Sequence, residues 1–509
     1  MRFMNQRVGL ALLAWAIGGC GGDAPQGQSV CDNVVPPPAA CMSTCDPTPG
    51  APNTCPGGYH CAPDGQCDAV CTATGGECGS GYECTSDGRC VGEDACVGLE
   101  CQIDDCAATG MPATTITGTV FAPNGTLPLY GINVYIPNQP LPPVSDQIVC
   151  DQCGDVLPGA PVTQVLTDEA GNFTLTGVPS GTNIPLVIST GKWRREITIP
   201  AVTACSANPL PATDTRLPKN KTEGSIPKIA ITTGNADSLE CLVRRLGVDD
   251  SEISPNAGTG RINLFEGNGV GALKSGFAGG SGPLPSATPF WADTANLDNY
   301  DIVILSCEGG QNPDTKPQGT LDAMKAYADM GGRVFASHWH NIWIGGAFQG
   351  GGSQTPAVWD SIATWDNQNN PPDPTTATID EVNNPKGVSF ATWMLNVMGS
   401  TTRGQLPITS ARVTAVGIDP AKAERWVYLT PQQSGTVEGI QNFQFTTPNE
   451  APPSGRCGKV VFSDMHVSGG PQGGDYPDSC GGSLTLSPQE KALAFMFFDI
   501  ASCVSPPIL

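Results

Sequence analysis

Twenty-two cysteines in 509 residues constrain this chain more than any other feature. Disulfides form and persist only where the compartment is oxidising, so their number turns first on whether the chain is exported. Its first twenty residues, MRFMNQRVGLALLAWAIGGC, read as an export signal. Arg2 and Arg7 form a basic start, and Val8 to Ile17 is an apolar core too short to span a bilayer. Export makes the cysteines a bridging framework.

The small-small-Cys ending of the leader, Gly18-Gly19-Cys20, resembles a bacterial lipobox. That resemblance implies lipidation of Cys20 and a mature chain tethered through GGDAPQGQS, an outer-membrane, periplasmic or cell-surface lipoprotein. Using Cys20 for lipid leaves 22 − 1 = 21 cysteines, an odd number, so at least one thiol stays outside an internal bridge. The formal net charge is −23, and no basic patch with interleaved aromatics occurs, which excludes nucleic acid and anionic head groups as natural partners. The membrane enters through the N-terminal lipid alone. With 63 glycines and 47 prolines, the chain favours strands and loops over helical bundles.

Behind the leader (1–19) and tether (20–44) the expected organisation is modular: disulfide-rich repeats at 45–106, a β-sandwich at 114–205, a linker at 206–227 and an α/β domain at 228–505. CDPTPGAPNTCPGGYHCAPDGQC (45–67) and CTATGGECGSGYECTSDGRC (71–90) carry four cysteines each, enough for two bridges per unit, and Asp-Gly pairs suited to hairpin turns. They resemble dickkopf-like or EGF-like repeats, with zinc knuckles as the rival reading and His60 as an exposed loop residue. ITGTVFAPNG, INVYIP and TQVLTDEAGNFTLTGVP alternate apolar and polar residues between turns, as strands of a sandwich do. Gly118-Thr119-Val120 with Thr167 through Gly181 resembles carboxypeptidase regulatory-like domains of the prealbumin-like fold, which implies an accessory role. A bridge among Cys150, Cys153 and Cys205 is expected inside this module.

From residue 228 onward, apolar strand runs alternate with helical periods. KIAITTG, RINLFEG, YDIVILS, RVFAS and GKVVFS are strands, with two more near RWVYLT and IQNFQF; SLECLVRRLGV, LDAMKAYADMGG, SFATWMLNVMG and SPQEKALAFMFFDIAS are the helices. Ser487, Pro488 and Glu490 supply a capping box for the last of these. A mostly parallel sheet follows. YDIVIL…GG, GGRVFASHWH and GKVVFSDMH together resemble the class I glutamine amidotransferase-like fold, closer to its ThuA-like branch, over roughly residues 228–502. The resemblance implies a histidine at position 338 and a late one at position 466. It departs at the turn that carries the amidotransferase cysteine, which here reads Ser337-His338-Trp339-His340.

In such sheets ligands sit beyond the carboxyl ends of the strands. Those ends carry Cys307 and Glu308, His338, Trp339 and His340, then Asp464 and His466. If the strand continued through them, His338 and His340 would share a side. His338, His340 and His466, with Asp464 or Glu308, form a candidate site for zinc or a similar divalent ion. A histidine acting as general base is the metal-free alternative. A third is a stacking surface of Trp339 and Trp343 for a sugar, roofed by Trp359, Trp365 and Trp393. Cys307 is a candidate nucleophile and also the cysteine expected to stay unbridged, with Cys457 and Cys480 paired across a loop. The leading expectation is a tethered protein whose α/β domain binds a glycan or peptide. The rivals are a hydrolase or sugar-modifying enzyme, and a structural adhesion protein with a vestigial pocket.

Overall fold

In the computed structural model, residues 96–504 are described except 257, 349–354, 360, 436 and 468–470. Between residues 29 and 92 the description leaves out 30, 32–38, 49–53, 57, 72–81 and 87. The leader, Cys20 and the first part of the tether fall among residues 1–28, outside it. The chain divides into two compact units, Met1–Val97 and Gly98–Leu509. Among the described residues no helix is long and apolar enough to cross a membrane.

In the first unit Cys45 pairs with Cys61 and Cys55 with Cys67, so the first repeat closes both of its bridges internally. That uses the thiolates a zinc knuckle would need. Cys71–Cys84 spans the second repeat, and Cys31–Cys41 precedes both. Gly65 and Gly88, at φ +79° and +74°, turn the two short hairpins as the Asp-Gly pairs predict. His60 lies on the hairpin strand His60–Cys61 and is half-buried, not an exposed loop residue.

The second unit begins with two small sheets, of four and three strands. Residues 206–227, expected as a linker, instead contribute strand Ala207–Pro209, which pairs in parallel with Thr115–Thr119. They also hold a charge pair, Arg216 with Glu223 at 2.6 Å. This β-rich part shares one hydrophobic core with the last helix of the chain. Trp193 meets Phe497 and Phe498 edge-on, and Trp393 donates to Pro128 O at 2.8 Å.

The main sheet has ten strands. Its parallel part contains β1 (Ile229–Thr232), β2 (Ile253–Pro255), β3 (Ile262–Phe265), β4 (Ile302–Leu305) and β5 (Arg333–Ser337). Next in the chain come β6 (Thr375–Ile379), β7 (Gln405–Ile408), β8 (Ala423–Leu429) and β9 (Gly439–Thr447), and then β10 (Gly458–Ser463). The spatial order is β2-β3-β1-β4-β5-β10-β9-β8-β6-β7. The first six strands run parallel, and the last four form an antiparallel wing joined to β10. Strands near RWVYLT and IQNFQF were expected, but not their antiparallel arrangement as a wing. Its strands alternate less cleanly than an isolated antiparallel ribbon because β9 is buried along nearly its whole length. Helices α1 (Glu240–Arg245), α2 (Gln318–Asp329), α3 (Pro385–Asn396) and α4 (Pro488–Ala501) cover the sheet. The capping box on Ser487 and Glu490 is formed.

Four bridges correct the expected pairings. Cys457 joins Cys150 and Cys480 joins Cys241, so Cys457 and Cys480 are not partners. Cys153 joins Cys503, and Cys205 joins Cys106. The Val149–Gly154 insertion is therefore stapled to the far end of the α/β region. Spacing failed as a guide here because residues 98–509 pack as one unit.

Candidate functional site

The structure delivers four neighbouring strand ends to one edge. β1 is followed by Asp237, β4 by Cys307 and Glu308, β5 by His338 and β10 by Asp464 and His466. The chain leaves β1 to build one side of the sheet and returns to build the other beginning at β4, so this edge is the topological switch point. The backbone closes tightly here. A Cβ on Gly234 would meet the Cys307 carbonyl at 2.3 Å, and Ala236 N donates to that same carbonyl at 2.9 Å.

β5 stops at Ser337, and His338–Asn341 form a 3₁₀ turn. His338 takes φ +43°, a conformation uncommon outside glycine. Strand alternation therefore ends, and His338 and His340 diverge. His340 turns into the core, where its Nε2 lies 2.8 Å from Ser306 O and its Nδ1 accepts from Trp343 Nε1 at 2.8 Å. Both ring nitrogens are used, and burial lowers its pKa to about 4. His340 is not among the clustered donor atoms.

Cys307 takes its place. Its Sγ lies 3.4 Å from His338 Nδ1, which lies 3.0 Å from His466 Nε2. All three donor atoms fall within 4.8 Å of one another, and all three residues are buried. Cys307 is the free cysteine among the described residues, as its place in an apolar strand suggested. The Gly309 N–H, at 3.5 Å, and the Trp339 N–H donate to its sulfur. Burial pushes the thiol up to about 12 and, with His466 nearby, holds His338 well below its ordinary value. Burial and then Arg412 bring His466 down to about 4.

The carboxylates have separate duties. Asp464 accepts from the backbone N–H groups of Thr414 and Ala415 and from Thr414 Oγ1, and its Oδ1 faces His338 Nε2 at 3.9 Å. Burial raises its pKa to about 6 against those bonds. Glu308 turns away from the cluster to pair with Lys316 Nζ at 2.6 Å and with Asn312. Lys316 is wholly buried and lies 4.9 Å over the Trp291 ring. Burial opposes the charge on Glu308, and His340 with Lys316 outweighs it, leaving the pKa below its ordinary value.

Trp339 is buried against the His338 ring, with centroids 4.7 Å apart, and Trp343 is fully buried. Neither offers a face to a sugar. Trp359 bonds Thr447 and Trp393 bonds Pro128, so neither roofs the site. Asp237 is the residue that sequence reasoning missed. It accepts from Ser337 Oγ at 2.9 Å and from Val467 N at 3.1 Å, pinning two of the strand ends together. Its signal was present, an acid just beyond the first strand.

No family model and no curated protein matches this chain. Among solved structures it is similar to a ThuA-like protein from Bacteroides uniformis, at 12% identity and TM-score 0.29, over 53% of this chain and 88% of that one. It is also similar to a cytoplasmic protein from Salmonella typhimurium, at 12% identity and TM-score 0.28, over 54% of this chain and 98% of that one. Likenesses at this level fix neither family nor activity.

Proposed function

We propose that this is an exported, lipid-anchored envelope protein whose α/β domain holds one transition-metal ion, of the zinc class, on Cys307, His338 and His466. The convergence on His338 Nδ1 carries the reading. That nitrogen has one lone pair or one proton, yet Cys307 Sγ and His466 Nε2 both approach it, at 3.4 and 3.0 Å. Hydrogen bonding alone leaves one approach unmade. An ion among the three atoms uses all three lone pairs at once. Tetrahedral Zn–N and Zn–S bonds set neighbouring donors roughly 3.3–3.6 Å apart, near the two distances from His338 Nδ1.

The second coordination sphere agrees. His338 Nε2 is buried without a hydrogen-bond partner. When Nδ1 is the ligand, Nε2 carries the proton and points at Asp464, the carboxylate–histidine–metal arrangement that fixes a ligand's tautomer. Thiolate and imidazole together suit zinc or copper and disfavour calcium and magnesium. The ion would tie the ends of β4, β5 and β10 together. When bound it supplies a Lewis acid, and the protein's own groups supply orientation and exclusion of water.

A second reading rests on the same atoms. Cys307, His338 and Asp464 line up as thiol, imidazole and carboxylate, an order that serves covalent catalysis. Metal analysis of the purified full chain separates the two readings. Wild type should retain one equivalent of zinc or copper after dialysis, and Cys307→Ser, His338→Ala and His466→Ala should each lose it. A metal-free wild type whose Cys307 reacts with iodoacetamide at neutral pH would overturn the ion and favour the nucleophile. Anchoring rests on the leader motif, and Cys20→Ser should release the chain from membranes.

A further inference from the structure

A cavity of about 700 Å³ lies at a distance from the metal donors, between the antiparallel wing and the start of α3. That volume is of the size that takes small molecules. Its floor is β8 and β9, with Ile440 and Phe445 as apolar patches, and its rim is the 417–425 hairpin and the Asp380–Lys386 turn.

The cavity is charged and its inner charges are compensated, while Lys422, on the rim, lies 3.9 Å from Asp419. Arg425 is held by Asp380 at 2.7 Å and also pairs with Glu438. Lys386 and Lys459 share Asp499, at 2.8 and 3.3 Å, behind the wall. Gln444 Nε2 donates to Glu424 at 2.7 Å. A ligand with net charge would have to break one of these pairs, leaving a partly buried ion uncompensated. Hydroxyl groups need no such exchange. They donate to the remaining lone pairs of paired carboxylates and accept from the remaining N–H groups of paired cations. Planar amide, carboxylate and guanidinium groups beside a surface that is mostly apolar suit a molecule with polar edges and C–H faces.

We infer that this cavity is a binding site for a neutral, polyhydroxylated small molecule the size of a mono- or disaccharide. It is separate from the metal donors, none of which lines it. Lys459, brought down to about 8 by burial, sits at the inner wall already engaged by Asp499 and Ser502, so it positions the wall and is no free cation.

Calorimetric titration of the full chain with glucose and maltose, and with phosphate and glutamate as charged probes, tests it. The expected result is saturable binding of a neutral sugar and none of the charged probes. Gln444→Ala should weaken that binding by about ten-fold, which is the loss of one good polar contact. Ala421→Trp, at the exposed rim, should abolish it without disturbing any internal pair, and His338→Ala should leave it unchanged. Circular dichroism and thermal midpoints establish that each variant is folded. Binding of phosphate or glutamate in preference to the sugars would overturn the inference. So would absence of sugar binding by folded wild type, or sugar binding that survives Ala421→Trp.

Discussion

His338 and His340 stand two residues apart on one turn, and the fold gives them opposite fates. His340 has a partner for each nitrogen and sits in a closed polar network with Ser306 and Trp343, near Lys316 and Glu308. His338 has two claimants on Nδ1 and none on Nε2. Burial is nearly the same, with each residue 1% exposed, so burial does not distinguish a structural histidine from a ligand. The count of unmet hydrogen-bonding positions does.

The strongest way to break this contrast is at the metal. His338→Ala and Cys307→Ser should take the bound ion from one equivalent to none, whereas His340→Ala should keep it. Equal loss in all three, read by elemental analysis of folded protein, would erase the distinction. Next in size is the ion pair beside His340. Glu308→Gln leaves Lys316 as an uncompensated buried ammonium and should cost about 3–5 kcal/mol in urea unfolding. Replacing both, Glu308→Leu with Lys316→Met, should recover most of that stability and leave metal binding untouched. A double variant as unstable as the single one would show that the pair does more than compensate itself.

Asp464→Asn tests the other network. Metal affinity should fall by about 10–100-fold, the usual effect of losing a carboxylate behind a histidine ligand, with stoichiometry retained. His340→Phe should cost about 1–3 kcal/mol, from the orphaned Ser306 carbonyl and Trp343 N–H. An unaffected midpoint would mean that neither bond contributes.

A pH dependence arises below the same edge. Glu240 is fully buried with both oxygens unpartnered, and burial, helped by Asp237, raises its pKa from 4.5 to about 8. The folded chain therefore holds this proton at pH values where the unfolded chain has released it. The stability it contributes is present below pH 4.5 and declines as pH rises toward about 8. Glu240→Gln should match wild type near the lower value and exceed it progressively up to the higher one. Parallel urea midpoints across that window would refute the assignment.

Much of this was readable beforehand. The strand runs ending at Leu305, Ser337 and Ser463 are apolar because parallel strands are covered on both faces, and that alone placed Cys307, His338 and His466 at one edge. Cys307 as the unbridged thiol followed from its strand. The choice between His340 and Cys307 as third donor did not, because the strand stops at Ser337 and the 3₁₀ turn after it ends the two-residue alternation that would have kept His338 and His340 on one side. The reach of the bridges was hidden as well. Cys150 and Cys457 are 307 residues apart, and spacing carries no record of such a meeting.

The sequence by itself determined the alternation of strands and helices, the hairpins at Asp-Gly, the last helix's cap and the edge where chemistry gathers, since each rests on local periodicity and local hydrogen bonding. Only the tertiary structure decided the antiparallel wing, the cross-module bridges, the Glu308–Lys316 pair and which histidine is left with unmet nitrogens. Those depend on distances between segments far apart in the chain, and packing sets such distances only when all the segments are in place.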